Sequence, residues 1–202
     1  MTEASASALR IALLGNPNCG KTALSNLLTG SRQKVANYAG VTVERKEGLF
    51  DTPMGQRARV LDLPGACSLN PLRQDETITR DVVLGTKADE PRPDLLICVT
   101  DATNLRLNLR LVVEAKRLGL PMVLALSLTD AARQRGVEID VPALERGLGM
   151  PVVQTVAAAQ REVRRILAVA VHERPSLRGA DDALDGIVMH PVWGYVVLVA
   201  TL

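Results

Sequence analysis

Residues 15–22 read Gly15-Asn16-Pro17-Asn18-Cys19-Gly20-Lys21-Thr22, the G-x-x-x-x-G-K-[ST] spacing of a phosphate-binding loop. Its glycines let successive backbone N–H groups curl around a phosphate chain, and the Lys21 ammonium adds a point charge for the terminal phosphates. The Thr22 hydroxyl, followed by Ala23 as the next helix opens, can ligate magnesium. A chance glycine-rich turn needs neither an apolar run before it nor a helix-forming run after it. Here residues 9–14 supply the first and 23–28 the second, so the chain is expected to bind a nucleoside triphosphate.

Three further groups of residues extend this reading. Asp62-Leu63-Pro64-Gly65 is, alone, a common strand-end turn. Beside a phosphate loop it has the form of a nucleotide switch, in which Asp62 holds magnesium through water and the Gly65 amide senses the terminal phosphate. Between the two lies Gly40-Val41-Thr42-Val43-Glu44, where Thr42 is placed to complete the magnesium shell once a third phosphate is present. Finally, Ser127-Leu128-Thr129-Asp130 follows an apolar run. Asp130 can accept two hydrogen bonds from the edge of guanine, a geometry adenine cannot reproduce, although as a bare pattern it also reads as a helix N-cap.

These residues need a scaffold, and the hydrophobic pattern supplies one. Apolar runs at 9–14, 58–63, 95–100 and 121–126, with a weaker one at 151–156, have the character of buried parallel strands. Helix-period segments at 21–28, 75–84, 105–118 and 141–148 alternate with them, the last preceded by Asp140 as N-cap. This order predicts an α/β fold, a doubly wound and mostly parallel sheet flanked by helices. Residues 42–50 are expected to add an edge strand, antiparallel to 58–63 across a turn at 52–55.

Bulk composition narrows the function classes. With 24 basic and 22 acidic side chains in 202 residues, the chain lacks the positive footprint of a nucleic-acid binder, and no nucleic acid is expected as partner. The three cysteines, Cys19, Cys67 and Cys98, have no metal-ligand spacing and fit a reducing compartment. Residues 1–8 carry no secretory signal, so a cytoplasmic N-terminus is expected. After 156 the pattern changes: 157–171 is a helix candidate, 173–182 is polar, and 192–202 is an apolar tail containing Trp193 and Tyr195. At about a dozen residues that tail is short of the ~20 a spanning helix needs. It reads as a truncated membrane helix or as a terminal segment docked on the core.

Taken with Asn37-Tyr38-Ala39-Gly40-Val41-Thr42-Val43-Glu44, Asp62-Leu63-Pro64-Gly65-Ala66-Cys67-Ser68-Leu69 and Asp101-Ala102-Thr103-Asn104-Leu105, the motifs resemble the cytoplasmic G domain of the bacterial FeoB ferrous-iron transporters, over about 150 residues in order. His190-Pro191-Val192-Trp193-Gly194 is similar to the segment introducing that family's first transmembrane helix. The resemblance implies a P-loop GTPase fold with a G domain over 1–156, a remnant of a helical linker domain over 157–183 and the start of a membrane segment over 184–202. It implies GTP and GDP as ligands, magnesium, and a potassium ion held by Asn18 in place of a missing arginine finger. Slow hydrolysis agrees with the absence of a glutamine after Gly65. The expected setting is the cytoplasmic face of the bacterial inner membrane, with small cytoplasmic Feo proteins or further copies of the chain as partners.

Three departures from that family stand out. Ser127 replaces an asparagine that contacts guanine and ties its loop to the phosphate loop, a loss of about 1–2 kcal/mol in nucleotide affinity. Gln154-Thr155-Val156-Ala157 replaces the loop that backs the base, and most of the helical linker is missing. On the same resemblance the sequence is expected to stop inside the first membrane segment, so this chain alone is not expected to carry iron. Cys19 and Cys67 stand where the family commonly has serine and tyrosine, and are read as two small buried thiols near the nucleotide. The reading from these residues is a GTP-binding switch for ferrous-iron uptake. Its alternatives are a soluble regulatory or assembly GTPase and a degenerate remnant with weak nucleotide binding.

Overall fold

Among the described residues the most apolar runs form the centre of the sheet, where both faces are covered. The computed structural model describes residues 8–52 and 55–155, all within the unit Met1–Ala157. The segments 157–183 and 184–202, with the linker and membrane expectations placed on them, lie outside the described residues. Among the described residues no helix is long and apolar enough to cross a membrane.

The elements run β1 Leu9–Gly15, α1 Lys21–Thr29, β2 Gln33–Asn37, β3 Glu44–Asp51, β4 Arg57–Asp62, α2 Gln74–Leu84, β5 Leu95–Asp101, α3 Leu105–Lys116, β6 Met122–Ser127, α4 Thr129–Gln134, α5 Val141–Leu148 and β7 Val152–Gln154. The seven strands order as β2-β3-β4-β1-β5-β6-β7. All pairings from β4 to β7 are parallel, and β3 is antiparallel to both its neighbours. Strand β1 shows why the centre is stable. Its alternate residues divide between two cores: Ala12 and Leu14 face Val82, Val83, Leu111 and Val112 of α2 and α3, while Ile11 and Leu13 lie under Leu24 and Leu28 of α1.

Two parts of the expected scaffold need correction. The strand near residues 42–50 forms and pairs antiparallel with β4, but it is not the edge; β2 lies outside it. Strand β2, Gln33-Lys34-Val35-Ala36-Asn37, is mostly exposed and has no buried face, so its sequence carries no alternation to betray it. The six-residue helix α4 is likewise too short to show a period. Asp140 caps α5 as expected, its carboxylate accepting from the Ala143 N–H at 2.9 Å.

A partly buried charge cluster braces the antiparallel side of the sheet. Glu90, only 5% exposed, accepts from Arg45 Nε on β3 at 2.6 Å and from Arg59 Nη2 on β4, while Glu47 accepts from both arginines. The cluster ties β3, and with it the loop that carries Thr42, to the segment after α2.

Candidate functional site

All four motifs meet at the carboxyl ends of the parallel strands, where open α/β sheets bind ligands. Strand β1 ends at Gly15, β4 at Asp62 and β6 at Ser127. Because β3 runs antiparallel, with Lys46 opposite Asp62, the loop before it brings Thr42 to the same end.

The phosphate loop is shaped by two close approaches. Gly15 pairs with Val99, and a Cβ on it would lie 2.3 Å from the Val99 carbonyl oxygen and 2.7 Å from Cys19 Sγ. Gly20 adopts φ 92°, which lets the chain turn directly into α1. Asn18 also lies in the left-handed region, at φ 61°, and is exposed. Lys21, 8% exposed, folds back over the loop and donates to the carbonyls of Gly15 at 3.1 Å and Asn16 at 3.2 Å.

Thr22 and Asp62, forty positions apart, are brought into contact: the Thr22 hydroxyl donates to Asp62 Oδ2 at 2.7 Å. Asp62 is 6% exposed, and its second oxygen, Oδ1, is buried without a hydrogen-bond partner. Burial raises the Asp62 pKa above its ordinary value, against the Thr22 hydrogen bond and the Lys21 charge. A buried carboxylate oxygen without a protein partner can accept from a water or take a cation with its hydration shell. Thr42 lies exposed in the bend before β3, and no hydrogen bond among the described residues joins it to Thr22 or Asp62. Gly40 (φ 76°) and Val41 complete that bend, whose ends close through Tyr38 N–H to Val43 O at 3.0 Å.

The Asp62–Gly65 strand end passes directly over the phosphate loop. Leu63 N–H donates to Leu13 O and Ala66 N–H to Gly15 O, both at 3.2 Å. A Cβ on Gly65 would sit 3.0 Å from the backbone of Pro17, so a side chain there would separate the two loops. The Pro64 carbonyl accepts from Thr79 of α2 at 2.8 Å. Cys19 is buried as expected, and its thiol pKa is raised chiefly by burial. Cys67 is exposed, which corrects the reading of two buried thiols: it rides on the outer side of the loop while its neighbour Ala66 packs inward.

At the end of β6 the serine substitution has a structural answer. Ser127 Oγ donates to the carbonyl of Cys19 at 2.6 Å and lies 3.2 Å from that of Thr100. The link from this loop to the phosphate loop is therefore made by a hydroxyl. A Cβ on Gly20 would make only ordinary contact with Ser127, 3.5 Å from its Cβ, so the glycine answers the positive φ there and not a shortage of space. We expect Ser127→Ala to leave the buried Cys19 carbonyl unpaired and to destabilise the fold by about 1–3 kcal/mol, read as a lower urea midpoint at unchanged m. Asp130 is half-buried in the first turn of α4, one residue past the helix start rather than at its cap. Thr155 donates to Leu126 O through both its N–H, at 2.8 Å, and its hydroxyl, at 2.9 Å.

Sequence reasoning missed two contributors. Asp101, within the Asp101–Leu105 string, accepts from Thr103 N–H and Oγ1, each at 2.7 Å, and so shapes the turn into α3. Glu114 of α3 accepts from Ser68 and Leu69, just after Gly65.

A family model described as Ferrous iron transport protein B matches residues 9–170. An Fe(2+) transport protein A/Fe(2+) transporter FeoB fusion protein of Porphyromonas gingivalis is 41% identical over 167 residues, 82% of this chain and 19% of its own length. The Fe(2+) transporter FeoB of Salmonella typhimurium is 43% identical over 195 residues, 89% of this chain and 24% of its own. The chain thus spans about a fifth to a quarter of the length of these curated relatives. Among solved structures, an S. thermophilus NFeoB mutant bound to mGDP matches with a TM-score of 0.69 at 41% identity, covering 80% of this chain and 60% of that one. Strand order, the convergence of the motifs at one sheet end and these matches agree: the chain belongs to the FeoB family and carries the P-loop GTPase fold of its G domain.

Proposed function

We propose that this chain is the guanine-nucleotide switch of a ferrous-iron transporter, hydrolysing GTP slowly at the cytoplasmic face of the bacterial inner membrane. The observation that carries the proposal is the joining of Thr22 to Asp62, with Asp62 Oδ1 left open, beside a Lys21 ammonium parked on the loop's own carbonyls. Amides of residues 15–23 and Lys21 hold the phosphates. The residues present suit magnesium: Thr22 and Thr42 offer hydroxyls, and Asp62 offers a carboxylate oxygen to the ion's water shell. Bound there, the ion neutralises charge on the terminal phosphates. Gly65, lying against Pro17, offers its amide to the third phosphate, and Asp130 selects guanine.

Asn18, exposed at the rim of the loop, would hold potassium and so complete the charge balance as the phosphate bond breaks. Iron itself is the cargo of the larger transporter. Among the described residues no group of three or more His, Cys, Asp or Glu side chains is arranged to hold a metal ion. The fusion relative supports a small Feo protein as partner. A second copy of the chain and a membrane contact through the C-terminal segment complete the proposed assembly.

The deciding experiment is hydrolysis and binding with matched salts. GTP turnover should rise about tenfold or more when potassium replaces sodium, and Asn18→Ala should remove that rise, a change of about 1.4 kcal/mol in the barrier. Equal rates in the two salts would remove the potassium role. Affinity for a fluorescent guanine nucleotide no better than for its adenine analogue would favour the weak-binding remnant.

A further inference from the structure

The Ser68-Leu69 pair closes the family-like string that begins at Asp62, yet nothing in phosphate or magnesium binding uses it. Its structural partner is Glu114. One carboxylate oxygen, Oε2, accepts from Ser68 Oγ at 2.9 Å and from the Leu69 N–H at 2.8 Å, and Ser68 Oγ accepts in turn from the Asn70 N–H at 3.0 Å. The other oxygen meets Arg110 Nε, one turn back on α3, at 3.3 Å. The Glu114 side chain is 18% exposed, while its helix is anchored in the core by Leu111, Val112 and Ala115. The carboxylate stays ionised: burial opposes the charge, but the Leu69, Ser68 and Arg110 hydrogen bonds outweigh it and hold the pKa below the usual range.

We propose that Glu114 is a positioning residue that latches the 65–72 loop to the rigid helix α3 and so holds the Gly65 amide where a third phosphate arrives. The loop then has two fixed points on either side of Cys67. At one, Ala66 N–H reaches the phosphate loop through Gly15 O; at the other, Ser68 and Leu69 reach α3. Leu69 also packs against the main core. With the latch gone, the only carboxylate left holding the segment beyond Ala66 is Glu76, which accepts from the Leu72 N–H at 2.9 Å at the far end of the loop; the triphosphate must then order the Ser68–Leu69 stretch that it now finds preorganised. A diphosphate, which does not reach Gly65, is indifferent to the change. The inference rests on the switch reading above.

The test compares GDP affinity, affinity for a non-hydrolysable GTP analogue and GTP turnover in the full chain, for wild type, Glu114→Ala, Glu114→Gln and Ser68→Ala. In Glu114→Ala, analogue affinity and turnover should each fall about tenfold while GDP affinity stays within about twofold. Glu114→Gln should retain wild-type behaviour, because its amide oxygen can accept both bonds. Ser68→Ala, which removes one of the two and sits on a surface loop, should give a smaller loss of the same kind. Amide exchange at Leu69 should quicken in Glu114→Ala. An equal loss for GDP and the analogue, or Glu114→Gln behaving like Glu114→Ala, would overturn the latch. So would Glu114→Ala matching wild type throughout, which leaves the switch itself intact. A wild-type chain that takes up no triphosphate would instead sink the switch reading, and the latch with it.

Discussion

Lys21→Ala should weaken GTP binding by at least about 100-fold, some 2.7 kcal/mol, while leaving the nucleotide-free fold almost unchanged. The asymmetry follows from where the ammonium rests. Lys21 Nζ donates to Gly15 O and Asn16 O, but neither carbonyl depends on it. Gly15 O also accepts from the Ala66 N–H at 3.2 Å, and Asn16 O from the Cys19 N–H at 3.4 Å. Truncation therefore leaves no buried acceptor unpaired, which is the usual source of a large stability loss. With nucleotide present the account should change: on the proposed reading the ammonium moves from neutral carbonyls to multiply charged phosphate oxygens, and charge-assisted bonds are roughly twice as strong as neutral ones. Calorimetric titration beside thermal unfolding checks both halves. An unchanged affinity would show that the loop amides alone hold the ligand, and a collapse in Tm would show that Lys21 is structural.

The parts of this site that were legible in the sequence are those where local chemistry and long-range packing ask for the same residues. Strand β1 needs an unbroken apolar run because both its faces are covered, and the run ends at a glycine that β5 leaves no room to replace. Asp62 was readable for the same reason, standing where an apolar strand stops. Contacts between distant positions were not readable. Ser127 reaches Cys19 across 108 positions, and the lost amide gave no sign that a hydroxyl would make the same link. Glu114, with Arg110 four residues before it, has the sequence appearance of an exposed helical ion pair; its acceptance of Ser68 and Leu69 depends on how α3 lies beside a loop 45 positions earlier. Strand β2 escaped because an exposed edge strand held by main-chain bonds to β3 needs no apolar alternation.

Asp62→Asn should separate stability from function by moving them in opposite directions. In the ligand-free fold, the Asp62 carboxyl is 6% exposed, with one oxygen bonded to Thr22 and the other without a partner among the described residues. Its pKa is raised, chiefly by burial, so the folded state holds a proton at this group more tightly than the unfolded chain does. Stability from this group is thus fully present below the ordinary aspartate range and is lost as pH rises through the folded pKa. An asparagine has no charge to desolvate and can still take the Thr22 hydroxyl on its carbonyl oxygen. The empty Asp62→Asn protein should therefore melt about 2–4 °C higher than wild type near neutral pH, and that difference should shrink as pH falls through the raised Asp62 pKa, where the wild-type carboxyl takes up its proton. Magnesium reverses the comparison. In wild type, adding magnesium to GTP should raise affinity about tenfold or more, because the ion's water shell answers the open Oδ1; in the variant, titrations with magnesium and with chelator should coincide. A variant that melts lower than wild type when empty would mean that the charge is stabilising in place, and a surviving magnesium effect would move the ion's protein ligand away from β4. Found together, a higher empty Tm and a lost magnesium response would identify Asp62 as a group held at a cost in stability for the cation it faces.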